Sequence, residues 1–243
     1  MSSQPALTKQ SPSGKYYLDE TSWVLLQRGT FVATTEEVDK MCTYMNDDSQ
    51  VPPTRNTFNA TKLNKRKQCT LVASGSEYDF SNQKNYNIHL DPVNWPGVVK
   101  RALDLAKEMA VAEGLDPKMY NGVHCNYYND GTCGIYPHAD DEAQLVPNMP
   151  IISVTLLAGI KVPRVFNIYE NTKPAHKVTN QDIVAKVSLD HGDVLVMGGT
   201  MQKSYYHGIK PSTSKALQSA RRLNLTVRAF VEPAPTKRKR DEM

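Results

Sequence analysis

No stretch of this sequence approaches the roughly 18 consecutive apolar residues that a membrane-spanning helix needs, so no membrane partner is expected. The opening residues, Met1 to Gln10, lack the apolar core of a secretory signal, which points to an intracellular protein. Cysteine is scarce. Cys42, Cys69, Cys125 and Cys133 form no CxxC pair and are read as reduced thiols rather than a disulfide frame or a zinc knuckle. Strong charge imbalance is absent too, since a net charge of +4 is too small to assign a polyanionic partner. With 40% apolar and 22% charged residues, the chain is neither disordered throughout, collagen-like nor a long coiled coil. Its 243 residues leave room for one or two domains, and no internal repeat is visible.

One absence is local. From Ser49 to Ser76 there is no acidic residue, while Arg55, Lys62, Lys65, Arg66 and Lys67 are basic. Such a stretch is able to hold phosphates without sequence preference, although a solvated loop explains it equally well. Residues 1–20 are polar and rich in Ser, Thr and Pro, and are expected to form a flexible leader. Trp23–Leu26 and Phe31-Val32 are short strand-like runs. Thr34 with Glu37 makes a capping box, and Val38, Met41, Cys42 and Met45 follow at helical spacing. A second helix is predicted over 97–113, with Val98, Ala102, Leu105 and Met109 on its apolar face and Gly114 to end it. Residues 46–95 read as loops and short strands. Beyond Val123 come short β-rich segments at 123–128, 151–157, 165–169, 185–189, 194–197, 204–207 and 223–230. Helices followed by a run of strands imply an α+β or sandwich-like domain. Residues 233–243, with Lys237-Arg238-Lys239-Arg240, form a basic tail expected to be disordered.

The chemistry concentrates in a few positions. In His138-Ala139-Asp140 the imidazole and carboxylate sit at i and i+2, on one side of an extended chain, and supply two ligands for a divalent metal. His207 is the natural third. Two histidines and one carboxylate form the facial ligand set of non-haem Fe(II) oxygenases. In a strand, Arg222, Asn224, Thr226 and Arg228 share one face, opposite Leu223, Leu225 and Val227. Asn126 and Tyr128 make a second polar pair of the same kind. An arginine fork suits a carboxylate, the group a diacid cosubstrate would present.

Asn126-x-Tyr128, His138-x-Asp140, His207 and Arg222-x-Asn224-x-Thr226-x-Arg228 together resemble the signature of the AlkB-type Fe(II)/2-oxoglutarate dioxygenases. His138–Glu142, Pro150–Val154, His191–Met197 and Tyr206–Ile209 sit where that family places similar segments. Arg66-Lys67-Gln68 and Tyr78-Asp79-Phe80-Ser81 resemble, more loosely, the nucleotide-recognition region of its DNA-repair members. The likeness runs over roughly residues 50–231. It implies a mainly β, α+β fold: a double-stranded β-helix (jelly-roll) core with flanking helices on the larger sheet. A single domain over 21–232 would divide into a nucleotide-recognition region with a buttress helix (about 50–122) and a jelly-roll catalytic core (123–231).

By the same resemblance, His138, Asp140 and His207 would bind Fe(II). Arg222 rather than Arg221 would meet the distal carboxylate of 2-oxoglutarate, with Asn126 and Tyr128 assisting and Asn224 and Arg228 toward the metal-bound end. O2 would complete the reaction, and no side chain beyond the metal ligands need be catalytic. Phe80 and His138 would sandwich a flipped base, Tyr78 and Glu142 would orient the nucleotide, and Arg66 and Lys67 would touch phosphate. Leu71 or Val72 is the candidate for a hydrophobic finger, and Arg164 for a group near the iron. The expected activity is oxidative demethylation of N-alkylated bases such as 1-methyladenine and 3-methylcytosine, in DNA or RNA, without an obligate protein partner. A 2-oxoglutarate oxygenase acting on a protein or small molecule, or a non-catalytic nucleic-acid-binding module, are the alternatives. The basic tail fits a nuclear-import signal or a solubilising end, leaving nucleus and cytoplasm both open.

Overall fold

The structure, a computed structural model, describes residues 6–54, 63–73, 87–89 and 92–231. Its strands are Gly14–Tyr17 (β1), Ser22–Gln27 (β2), Lys67–Val72 (β3), Asn87–His89 (β4), Gly122–Tyr128 (β5), Ile135–His138 (β6), Ile151–Gly159 (β7), Arg164–Glu170 (β8), Ile183–Leu189 (β9), Val194–Gly199 (β10), Tyr205–Ile209 (β11) and Ala220–Arg228 (β12). Helices are Thr35–Asn46 (α1), Gly97–Ala112 (α2) and the single turn Met201–Ser204 (α3). None of these is long and apolar enough to cross a membrane.

Two sheets form, with strand orders β1-β2-β10-β7-β12-β5-β3-β4 and β6-β11-β8-β9. Every described strand pairing is antiparallel except β3 with β4. This is the jelly roll that the resemblance implied. Alternation along the central strands decides what lies on each face of the larger sheet. Leu223, Leu225 and Val227 of β12 join Val123, Cys125 and Tyr127 of β5 in a core against α1 and α2. Each such fully buried aliphatic side chain contributes roughly 1.5–3 kcal/mol. The opposite face meets the smaller sheet, and its two ends differ. At one end Leu26, Leu195 and Met197 pack on Phe166, Ile168 and Val187 in a second apolar core. At the other, polar side chains line a cavity.

The predicted capping box begins α1: the Thr34 hydroxyl accepts from the Glu37 N–H at 3.2 Å, and Glu37 Oε2 accepts from the Thr34 N–H at 2.9 Å. Helix α2 ends as expected at Gly114, whose φ of +71° is open to glycine at little cost. Its buried face is turned, however, to Val98, Val99, Ala102, Leu103, Ala106 and Ala110, while Leu105 and Met109 are only partly buried. Three alanines let the helix axis approach the sheet, and the longer side chains fill its margins.

The leader expectation is corrected. Within residues 1–20, β1 pairs with β2, and Leu7 and Tyr16 are buried in the second core. Two apolar anchors in a polar background suffice because Arg28 ties the segment down, bonding the Ser11 carbonyl (Nε, 3.1 Å) and Asp193 (2.6 Å). Phe31-Val32 is not a strand. Phe31 turns into the helical core while Val32 is exposed. Leu71 and Val72 are wholly buried in β3, so neither is a protruding finger. The four cysteines are free and buried. The basic tail lies outside the described residues.

Candidate metal centre and its cavity

Strands β6 and β11 run antiparallel with His138 directly opposite His207, which puts the two imidazoles on the same side. The strands come close because Gly208 has no side chain: a Cβ there would lie 2.8 Å from the Ile135 carbonyl oxygen. The ring centroids are 4.3 Å apart, and Phe166 stacks on His207 at 5.3 Å. Asp140, two residues past His138, reaches both: Oδ1 is 3.6 Å from His138 Nε2, and Oδ2 is 3.9 Å from His207 Nε2. One donor atom from each of the three lies within 4.8 Å of the others. The His138 Nδ1 lies 2.9 Å from the Tyr136 carbonyl, so it carries the proton and Nε2 keeps its lone pair for a metal.

The surroundings hold these groups in their ligating forms. Burial pushes His207 down to about 3, with His138 adding to the effect, and burial likewise lowers His138. For Asp140 burial alone would raise the carboxyl, but Arg228 and then the two histidines draw it well below the usual carboxylate range. Arg228 Nη2 donates to Asp140 Oδ1 at 2.6 Å and Nη1 to Glu142 Oε1 at 3.3 Å. Gln202 of α3 accepts from the Asp140 backbone N–H at 2.9 Å, fixing the ligand's backbone as well. Burial raises the Glu142 carboxyl.

The triad opens into a cavity of about 640 Å³. Strand register sets polar residues of the larger sheet in two rows, Thr70, His124, Thr226 and Ser153, then Gln68, Asn126, Asn224 and Thr155; all line the cavity except Thr70 and Thr155, which bond to His124 and Arg222. Arg222 stands opposite Tyr128, its guanidinium carbon 5.0 Å from the ring centroid. Arg222 is buried; Nη2 donates to Thr155 Oγ1 at 3.0 Å, whereas Nε and Nη1 have no acceptor in the protein. Burial lowers it to about 10, so it remains a cation at neutral pH. Two unanswered N–H groups on a buried charge fit a carboxylate that binds through both oxygens. The donor set fits Fe(II), and the Arg222 fork fits the far end of a dicarboxylate.

Of the expected cosubstrate residues, all five line this cavity. Asn224 donates to Ser153 Oγ (2.8 Å) and the Val154 carbonyl (3.1 Å), and accepts from Thr226 (3.1 Å). Arg221 is turned outward to Asp39 at 2.9 Å, leaving Arg222 inside. Glu142 and Arg66 are also in the wall, Arg66 engaging Asn126 Oδ1 rather than reaching outward. Lys67 is not brought there. It points to the helix face, bonding the Asn46 carbonyl at 2.8 Å and pairing with Asp48, because neighbours in a strand face opposite ways. Arg164 is likewise not part of the site; it is a buried clamp on the carbonyls of Cys133 (2.9 Å) and Lys210 (2.8 Å). Tyr78 and Phe80 lie outside the described residues.

Several residues in or behind the wall escaped the sequence reading. His124 is buried in the cavity with its Nδ1 2.8 Å from the Thr70 hydroxyl, and burial, then Arg228, holds its pKa well below the ordinary value. It extends the Asn126-x-Tyr128 pattern by one step, which was the available signal. Ser153 and Thr155 carry the same period-two signal in β7. Gln202 has none, since a backbone partner leaves no sequence mark.

Comparison with known proteins places this geometry. The sequence pattern of the 2OG-Fe(II) oxygenase superfamily matches residues 27–228. The DNA oxidative demethylase ALKBH2 of Homo sapiens is 32% identical over 158 residues, covering 65% of this chain and 54% of the human protein. The alpha-ketoglutarate-dependent dioxygenase AlkB of Salmonella typhimurium is 28% identical over 140 residues, or 57% and 58% of the two chains. The chain thus spans a little over half the length of these relatives. The solved structure of OsALKBH1 superposes with a TM-score of 0.53 at 18% identity, over 89% of this chain and all of that one, a likeness of fold.

Proposed function

Because the chain belongs to the 2OG-Fe(II) oxygenase superfamily, we propose that it is an oxidative demethylase of N-alkylated bases in nucleic acid, with 1-methyladenine and 3-methylcytosine as lesions. The observation that carries the reading is the His138–Asp140–His207 triad opening into the same cavity as the part-unanswered Arg222. Support for the substrate comes from the relatives named for DNA demethylation and from the acid-free basic stretch leading into β3.

Fe(II), 2-oxoglutarate and O2 together supply an oxidant that hydroxylates an N-methyl carbon, giving succinate, CO2 and, on collapse of the product, formaldehyde. The chain's own side chains bind and orient. His138, Asp140 and His207 would hold the metal, and Arg228 keeps Asp140 ionised and fixed in place beside the two histidines. Arg222 takes the distal carboxylate of the cosubstrate, with Tyr128 and Asn126 beside it and Asn224 fixed by its bonds to β7. No side chain is required to move a proton during oxidation. Glu142, poised on Arg228 with Oε2 unpartnered, is placed to accept from a base amino group. Extruding a base costs a few kcal/mol, least at a lesion that cannot pair.

Incubation with methylated DNA and RNA, single- and double-stranded, followed by formaldehyde measurement, tests the proposal. Release from an alkylated strand is expected. Consumption of 2-oxoglutarate with no release from any strand would instead identify a protein or small-molecule acceptor.

A further inference from the structure

Tyr136 is 66% exposed, more than any other described tyrosine, tryptophan or phenylalanine, yet it lines the mouth of the cavity. On β6 it is two residues before His138, where the pairing with β11 shifts register between the His138–His207 and Ile135–Ile209 pairs, so the ring stands at an irregular step of the strand beside the histidine. Its backbone is held firmly. The Tyr136 carbonyl bonds His138 Nδ1, Pro137 follows it, and Gly208 packs against this peptide from β11. A ring displayed on so rigid a support loses little freedom when something stacks on it. Lys65 lines the same mouth, 3.4 Å from the Thr132 hydroxyl, inside the stretch free of acidic residues, and Leu63 beside it is also exposed.

We propose that Tyr136 is a stacking platform for the nucleotide adjacent to the one whose base enters the cavity, with Lys65 taking the intervening phosphate. The ligand is a single-stranded nucleic-acid segment of tolerant sequence, because every base offers a π-face and a lysine reads only charge. The inference rests on the nucleic-acid reading above and adds a second contact outside the reacting centre.

The test measures affinity of the full chain loaded with Fe(II) and 2-oxoglutarate under argon. Three probes are used: a single-stranded oligodeoxynucleotide carrying one 1-methyladenine, the same strand with abasic neighbours, and the methylated mononucleotide. Tyr136→Ala is expected to weaken binding of the first by roughly 5- to 150-fold, and Tyr136→Phe to retain it. The abasic strand and the mononucleotide are expected to bind both variants like the wild type. Unchanged affinity of Tyr136→Ala for the intact strand, or an equal loss on all three probes, would overturn the platform while leaving the demethylase reading in place. A wild type that neither binds nor demethylates any strand would remove the nucleic-acid reading, and the platform with it.

Discussion

Arg222 is buried beside Tyr128, with the Thr155 hydroxyl as its hydrogen-bond acceptor and two further cations, Arg164 and Arg66, in its surroundings. A cation kept dry at such cost needs a counter-charge that arrives from outside. Exchanging it for lysine keeps the charge and loses the fork. Arg222→Lys is expected to raise the Kd for 2-oxoglutarate roughly 10- to 100-fold, since a hydrogen bond to a charged group contributes about 1.5–3 kcal/mol. An unchanged titration would remove Arg222 from that role. At the other end, His138→Ala or Asp140→Ala is expected to abolish 2-oxoglutarate turnover, and wild-type succinate formation by either would overturn the metal assignment. These residues were legible because each belongs to a motif with a fixed period. Lys67 and Arg164 were misread because a lone cation carries no such constraint: which face of the strand it takes, and whether a carboxylate or a carbonyl claims it, is decided by packing.

The pairing of β6 with β11 does the assembling, and it depends on Gly208. Gly208→Ala would drive the added methyl into the Ile135 carbonyl and separate the two imidazoles. The expected result is a folded protein whose Mn(II) affinity, read by paramagnetic resonance, falls at least 10-fold, the scale seen when ligand orientation is disturbed. Affinity equal to the wild type would show that the strands tolerate the spacing. Helix α1 offers a separate check. Its capping box is braced by Arg101, which donates to Glu37 Oε2 at 3.0 Å and, as the largest influence, holds that carboxyl down to about 2. Thr34→Ala is expected to lower the urea midpoint by an amount worth about 0.5–2 kcal/mol with the slope unchanged. Helices α1 and α2 and eight of the strands could be anticipated from spacing, β11 and β12 with shifted ends. β1, β3, β4 and β6 could not, for separate reasons. β3 is buried on both faces and shows no alternation, β6 contains a proline, and β1 and β4 are too short to show a period.

For the molecule as a whole, the buried His124 and His207 and the partly exposed His138 set the acid limit. His124, His138 and His207 all have folded pKa values below the ordinary 6.5, that of His207 near 3. Between about pH 6.5 and pH 3 the unfolded chain therefore binds more protons than the folded one, and stability falls as pH falls. It is fully present only above about pH 6.5. Denaturant midpoints of the metal-free protein should decline steadily from pH 7.5 to pH 5, and a flat profile over that interval would contradict the neutral state of these rings. The layered fold was readable at this scale from the order of helices and strands. The split of the sheet interface into a dry half and a polar half was not, because it arises from register between strands far apart in sequence.

Strand β6 has no described partner except β11, and the facing pair His138 and His207 spans that one seam. An ion seated there acts as a rivet, joining the outermost ribbon to the rest of the barrel. Starved of iron, the protein would loosen at this lip before anywhere deeper, so the amide protons of Ile135, Tyr136 and His138 would exchange fastest in the empty form and slow on loading. Vacancy and an open doorway would then be one and the same condition.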